Sequence, residues 1–335
     1  MIGKFCMKKF LSLFVSLMLV CGLLTGCQGK EKEPDGIRIG SLKGPTTLGL
    51  LSMMNEQKGA SDVNNENEKY EFHMMTAADE LLPLMIKGEL DIALLPANVA
   101  SILYSRMEGN LKVIDINTLG VLYMVSGDQS IDELKDLENK TLYLTGKGTT
   151  PDYVLRYLLE QAGVDENAIT LEFKSEATEV AAMLAEHPDA IGLLPEPFVT
   201  AALAQNDQLK VVMDMTGQWD VWGGTEGGTM ITGVTVVRSE FMNQYPESVI
   251  QFLEDHAKST EYVNSNVDQA AIWAVEQGIV AKEPLARKAI PECNIVCIQG
   301  QEMKEALSGY LQVIFSQSKE AVGGSLPGED FYFVQ

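Results

Sequence analysis

The chain has 335 residues, of which 46% are hydrophobic, and a formal net charge of −22 at pH 7. That charge excludes nucleic acid as a partner, because such binding depends on neutralising phosphates with Lys and Arg. The length is enough for one large or two medium lobes, each with its own core.

The first 35 residues read as a leader and a tether. Lys4, Lys8 and Lys9 precede an uncharged apolar run from Phe10 to Leu24, which ends in Leu24-Thr25-Gly26-Cys27. This is the order of parts in a signal peptide. The run is shorter than the ~20 residues a membrane span needs, and a plain transmembrane anchor is the alternative. The segment resembles a bacterial lipoprotein signal, cut before the cysteine. The resemblance implies removal of residues 1–26, lipidation of Cys27 with palmitate, and a domain anchored at the outer face of the cytoplasmic membrane. Met7-Lys8-Lys9 makes a cleaner start than Met1. Cleavage removes three lysines and no acid, so the mature charge becomes −25. Residues 27–35 are polar and form the tether.

From Ile37 short apolar strands alternate with amphipathic helices, the pattern of an α/β protein with largely parallel sheets. A strand at Ile37-Arg38-Ile39-Gly40 leads through Lys43-Gly44-Pro45-Thr46-Thr47 into a helix beginning Leu48-Gly49-Leu50-Leu51. The unit recurs. A strand at Thr141-Leu142-Tyr143-Leu144 leads through Lys147-Gly148-Thr149-Thr150-Pro151 into a helix with Val154, Leu155, Leu158 and Leu159 on one face. A second pair of strands follows, Leu90 to Pro96 and Asp189 to Pro195. Each lies between two helices, around Leu84 to Lys87 and Val99 to Arg106 in the first copy, and Val180 to Glu186 and Phe198 to Gln205 in the second. Pro83 fits poorly, since a proline there should bend or delay its helix. Two lobes on one plan are expected: strand, Gly loop, helix, strand, helix, strand, Pro turn, helix. Strands near 125 and near 232 would connect them. Lobe I would comprise 36–125 and 233–335, with helices around Val249 to Asn264, Ala270 to Gln277 and Met303 to Ser316. Lobe II would span 126–232.

Cys6 and Cys21 leave with the leader, so Cys293 and Cys297 remain beside Cys27. Cys293 to Ile298 reads as a strand, along which four residues span ~13 Å, whereas a disulfide needs Cα atoms within ~7 Å. Two buried free thiols are expected, with a strained or turn-borne disulfide as the alternative. His73, His187 and His256 show no metal spacing and read as surface or helix-end residues. Met53-Met54 and Met74-Met75 read as core filler. No Walker loop, Gly-x-Ser-x-Gly elbow or His-Glu-x-x-His occurs, and no cofactor is expected.

Four stretches together resemble a known family. They are Ile39-Gly40-Ser41-Leu42-Lys43-Gly44-Pro45-Thr46, Gly88-Glu89-Leu90-Asp91-Ile92-Ala93, Leu134-Lys135-Asp136-Leu137-Glu138-Asn139-Lys140-Thr141 and Leu193-Leu194-Pro195-Glu196-Pro197-Phe198. Over residues 36 to 320 the chain is similar to extracytoplasmic substrate-binding proteins of ABC importers, in the branch of sulfonate, nitrate and thiamine-precursor binders. The resemblance implies a periplasmic-binding-protein-like fold of two α/β lobes with a two-strand hinge. It also implies a small solute held in the cleft and a membrane permease with its ATPase as partners. A monomer without catalytic residues is expected. The loop Gln218 to Gly228, rich in Gly and Trp, matches no particular ligand class.

Loops that open helices put backbone N–H groups and the positive end of the helix dipole toward a cleft, which suits anionic or polar ligand groups. Lys43, Gly44, Pro45, Thr46 and Thr47 form one such loop, and Gly146, Lys147, Gly148, Thr149 and Thr150 the other. Alternatively Thr47 and Thr150 only cap their helices and the lysines are solvated. Asn98 and Glu196 follow strand ends, so each either meets the ligand or caps the next helix. Trp219 and Trp222 either stack on a ring or pack inside the lobe. C-terminal Gly328 to Phe333 either packs on the surface or walls the cleft. Two other functions are open: an enzyme on the same fold, with Glu196 as a base, and a ligand-sensing module of a signalling receptor. The solute class also stays open, between an anion and a heteroaromatic such as a pyrimidine precursor.

Overall fold

The computed structural model describes residues 33–61, 69–222 and 228–334. The leader, Cys27 and most of the tether lie outside the described residues, as do 223–227 of the Gly/Trp segment. Asp35 to Gln335 forms one compact unit. Among the described residues no helix is long and apolar enough to cross a membrane.

The chain opens with β1 (Ile37–Leu42), the single-turn α1 (Pro45–Leu48), α2 (Leu51–Ser61) and β2 (Tyr70–Met75). Then come α3 (Ala78–Lys87), β3 (Ile92–Pro96), α4 (Ala97–Arg106) and the long β4 (Leu111–Leu119). The middle holds β5 (Leu122–Ser126), β6 (Thr141–Leu144), α5 (Thr150–Gln161), β7 (Thr170–Phe173), α6 (Ala177–Glu186), β8 (Ile191–Pro195), α7 (Phe198–Gln205), β9 (Lys210–Asp214) and α8 (Met215–Trp222). The last third contains β10 (Ile231–Arg238), α9 (Ser239–Gln244), α10 (Pro246–Ser265), α11 (Val267–Glu276), α12 (Glu283–Glu292), β11 (Ile295–Ile298) and α13 (Gly300–Gln317).

Two mixed sheets carry these elements, in the strand orders β11-β4-β10-β3-β1-β2 and β7-β6-β8-β5-β9. The expected internal echo is visible in the pairing. β1 is flanked in parallel by β2 and β3, and β6 in parallel by β7 and β8. An antiparallel strand then closes each triplet, β10 against β3 and β5 against β8. Parallel neighbours need a helical crossover, and α1 to α3 and α5 to α6 supply it on the same plan in both halves.

The chain passes to the second sheet earlier than expected. The strand placed at the end of lobe I is β5, and it pairs with β8 and β9 of the second sheet, so the passage falls at Gly120 and Val121. The cores are also joined: one cluster of buried side chains runs from Leu95 and Val234 of the first sheet to Leu142 and Leu193 of the second. Helix α13, expected to complete lobe I, contributes to that junction. Its Tyr310 packs against Trp219 of α8 at 5.6 Å, and Trp219 against Tyr157 of α5 at 5.0 Å.

Other departures have local causes. Pro83 neither delays nor ends α3. Its ring is exposed, so water can meet the carbonyl that loses its donor, while Leu81 and Met85 hold the helix to the core. Gln218 to Trp222 is the end of α8 rather than loop, because Met215 and Trp219, one turn apart, are both buried. Cys293 follows the last residue of α12, and the strand begins only at Ile295. Both remaining thiols are free, Cys293 buried and Cys297 half-buried. Met53 and Met54 are core residues, as expected. The C-terminal turn packs on the first half: Phe331 is buried against Tyr104 at 4.9 Å, and the Phe333 N–H donates to the Val113 carbonyl.

Candidate functional site

Ligands in α/β proteins gather outside the carboxyl ends of parallel strands. In the first sheet that edge is marked by Leu42, Pro96 and Thr118, and in the second by Leu144 and Pro195. A shallow depression lined by Lys140, Tyr143, His187 and Asp189 lies at the opposite, amino ends of β6 and β8. It is therefore not the place where the expected site residues gather.

The two Gly loops differ. Gly44 precedes α1, which is one turn long, and no side chain caps it. The Thr46 and Thr47 hydroxyls both turn back to the Leu42 carbonyl, at 3.4 and 2.5 Å, so neither caps the helix. A four-residue helix has little dipole to offer. The second loop opens the twelve-residue α5. Gly146 (φ +73°) and Gly148 (φ +71°) take left-handed conformations that side chains resist. The Thr149 hydroxyl donates to the Gly146 carbonyl at 2.6 Å, and the Gly148 N–H to the buried Asp152 carboxylate at 2.8 Å. Both lysines lie at the exposed side of their loops. Lys147 sits over the Phe173 ring at 5.7 Å, and Lys43 reaches toward Gly278.

Asn98 and Thr150 meet. The Thr150 hydroxyl, at the start of α5, donates to Oδ1 of Asn98 at 3.2 Å, while Nδ2 of Asn98 donates to the Ala321 carbonyl at 3.2 Å. Neither caps its own helix, and together they tie the two halves at the starts of α4 and α5. Burial pushes the Tyr310 phenol up, with Thr150 opposing it.

Glu196 lies apart from this pair and takes the capping role. Its two oxygens accept from the Thr200 N–H (3.2 Å) and hydroxyl (3.0 Å) in the first turn of α7. Burial pushes its carboxyl from 4.5 to about 7, against the Thr200 hydrogen bonds and with a further push from Glu292. Tyr123 and Cys293 share this surrounding: burial raises both, and the charges of Glu196 and Glu292 add to it. Trp219 is buried and its Nε1 donates to the Gly228 carbonyl at 3.0 Å, so packing is its role, whereas Trp222 is exposed.

A chain of buried polar groups beneath the first loop was not foreseen. Nδ2 of Asn117 donates to the Thr235 hydroxyl (3.1 Å), which donates to Oδ1 of Asp115 (2.7 Å), and Oδ2 of Asp115 meets Nδ1 of His256 at 3.0 Å. His256 is thus not a surface or helix-end residue: it is fully buried in the middle of α10. Burial works against its charge, but the Asp115 carboxylate prevails and lifts it to about 10. The sequence signal was Asp115, Asn117 and Thr118 inside an otherwise apolar strand. His187 and His73 lie as expected, after the end of α6 and half-exposed on β2.

The model of the menaquinone-biosynthesis family matches residues 37–291, and the chain belongs to that family. No curated protein matched the chain. Among solved structures, an ABC transporter from Parabacteroides distasonis is 26% identical with a TM-score of 0.74, covering 89% of this chain and 99% of its own. The periplasmic aliphatic sulphonate binding protein SsuA of Escherichia coli is 14% identical with a TM-score of 0.70, over 90% and 92% of the two chains. The desulfurization enzyme DszB is 12% identical with a TM-score of 0.63, over 90% and 97%. These likenesses establish the periplasmic-binding-protein-like fold, which carries both binding proteins and an enzyme. The family found differs from the branch that the sequence motifs resemble, although sulfonate binders share its fold.

Proposed function

We propose that this member of the menaquinone-biosynthesis family is a lipid-anchored solute-binding protein of an ABC importer. It holds one small anionic or heteroaromatic solute and delivers it to a membrane permease driven by an ATPase. The observation that carries this reading is the Asn98–Thr150 hydrogen bond, in which groups that follow β3 of the first sheet and β6 of the second meet at the starts of α4 and α5. Capture by closure requires such convergence at the carboxyl edges of both sheets. The likeness to the Parabacteroides ABC transporter structure supports the importer assignment. The proposed binding groups are Asn98, the loop Gly146 to Thr150, and Thr46 and Thr47. Lys43 and Lys147 screen the rim, and Glu196 supports α7. The leader, lipidation at Cys27 and the extracytoplasmic location belong to the same proposal. Asn98→Ala and Thr150→Val should each weaken capture of the native solute about fivefold, the value of one hydrogen bond of ~1 kcal/mol. Unchanged affinity in both variants would remove the site.

A second reading is an enzyme. It is favoured by the family to which the chain belongs and by Glu196, whose carboxyl titrates about 7, where a general acid or base works best. Incubating the protein with its captured solute separates the two. An unchanged mass supports the binder, and a product whose formation stops in Glu196→Gln supports the enzyme.

A further inference from the structure

We propose that Asp115, His256 and Cys297 form a binding site for a borderline-soft divalent cation of the zinc class. The site does not depend on the solute-binding reading. Its residues come from three elements of the first half: β4, the middle of α10, and β11. Nδ1 of His256 lies 3.0 Å from Oδ2 of Asp115 and 3.9 Å from Sγ of Cys297, and one ligand atom from each residue lies within 4.8 Å of the others. Around a tetrahedral zinc, nitrogen and oxygen ligands stand about 3.3 Å apart and nitrogen and sulfur about 3.5 Å. Shifts of a few tenths of an ångström bring the His256 pairs to this spacing, and the Asp115 oxygen and Cys297 sulfur, within 4.8 Å of each other, close by up to about 1 Å onto a shared ion. A set of imidazole, carboxylate and thiolate suits zinc or cobalt, whereas magnesium and calcium take oxygen ligands.

The surroundings already orient the ligands. The Thr235 hydroxyl donates to Oδ1 of Asp115 at 2.7 Å and leaves Oδ2 toward His256. Nε2 of Gln299 donates to Sγ of Cys297 at 3.2 Å and so holds the sulfur in place. Such outer partners are characteristic of metal sites. The fully buried His256 ring has its other nitrogen, Nε2, against Gly49, where a side chain would stand only 3.1 Å away, and this fixes Nδ1 as the liganding atom. Cys297 is half-buried and gives the cation its way in. On binding, the Nδ1 and thiol protons pass to solvent, and a fourth position remains for water. The ion would clamp α10 to the sheet directly beneath the first Gly loop.

The test is titration of the reduced, chelator-treated full-length chain with Co2+, followed by absorption. One equivalent should bind with a thiolate-to-cobalt charge-transfer band and the intense d–d bands of a tetrahedral ion. Cys297→Ser should abolish the charge-transfer band, and Cys293→Ser should keep it. Gln299→Ala should retain the band with about 10–100-fold weaker binding. Zinc should raise the melting temperature of the wild type and not of Cys297→Ser. Absence of the band in the wild type, or its survival in Cys297→Ser, would overturn the proposal.

Discussion

The Glu196 carboxylate accepts two hydrogen bonds from Thr200, yet its titration rises to about 7 because burial outweighs them. A carboxyl raised in this way holds its proton more tightly folded than unfolded. Its contribution is fully present below the ordinary value of 4.5 and is lost as pH rises through about 7. The full loss is about 3 kcal/mol. Denaturant unfolding at pH 5 and pH 8 should show this fall in the wild type and a flatter profile in Glu196→Gln; equal slopes would contradict it. Sequence placed Glu196 at a strand end but left its role open, since capping depends on how the chain turns at Pro197. His256 was less legible. Val249, Phe252, Leu253, His256, Thr260 and Val263 share a buried helix face, but the carboxylate that makes burial of an imidazole tolerable, Asp115, lies 141 residues away.

At the level of elements, the two Gly loops looked alike in sequence and differ in structure, because α1 ends after one turn while α5 runs for three. Of the two, only α5 is long enough to offer a helix dipole to an anionic or polar group. Gly148 has φ +71°, with only the Tyr153 hydroxyl near a built side chain, at 3.8 Å. Gly148→Ala should therefore cost about 1 kcal/mol by backbone strain. Calorimetry of the ligand-free protein checks this, and a stability equal to wild type would show that the loop is not held left-handed. The repeated strands and helix α7 were readable because apolar runs and Pro turns bound them sharply. Helix α12 was not, since Pro284 and Pro291 sit at its start and end and disguise a face carried by Ala286, Ala289 and Ile290.

Across the whole molecule, the two sheets repeat one plan and present both carboxyl edges toward one junction. Sequence foretold this symmetry through its echo of strand, loop and helix. It did not foretell how closely the halves are joined, because the joining contacts are long-range: Thr150 with Asn98, Tyr310 with Trp219, and the Asn294 amide with the Gly120 carbonyl at 2.6 Å. A solute bound only by the folded form stabilises it by ~2.7 kcal/mol at about 100 times its dissociation constant, so a captured solute raises the melting temperature when supplied in excess. The most direct test is native mass spectrometry of the gently purified protein, without added ligand. A stoichiometric small adduct that dissociates unchanged, and is depleted in Asn98→Ala and Thr150→Val, is the expected result. An adduct retained in full by both variants, or released as a chemically altered compound, would contradict solute capture at this junction.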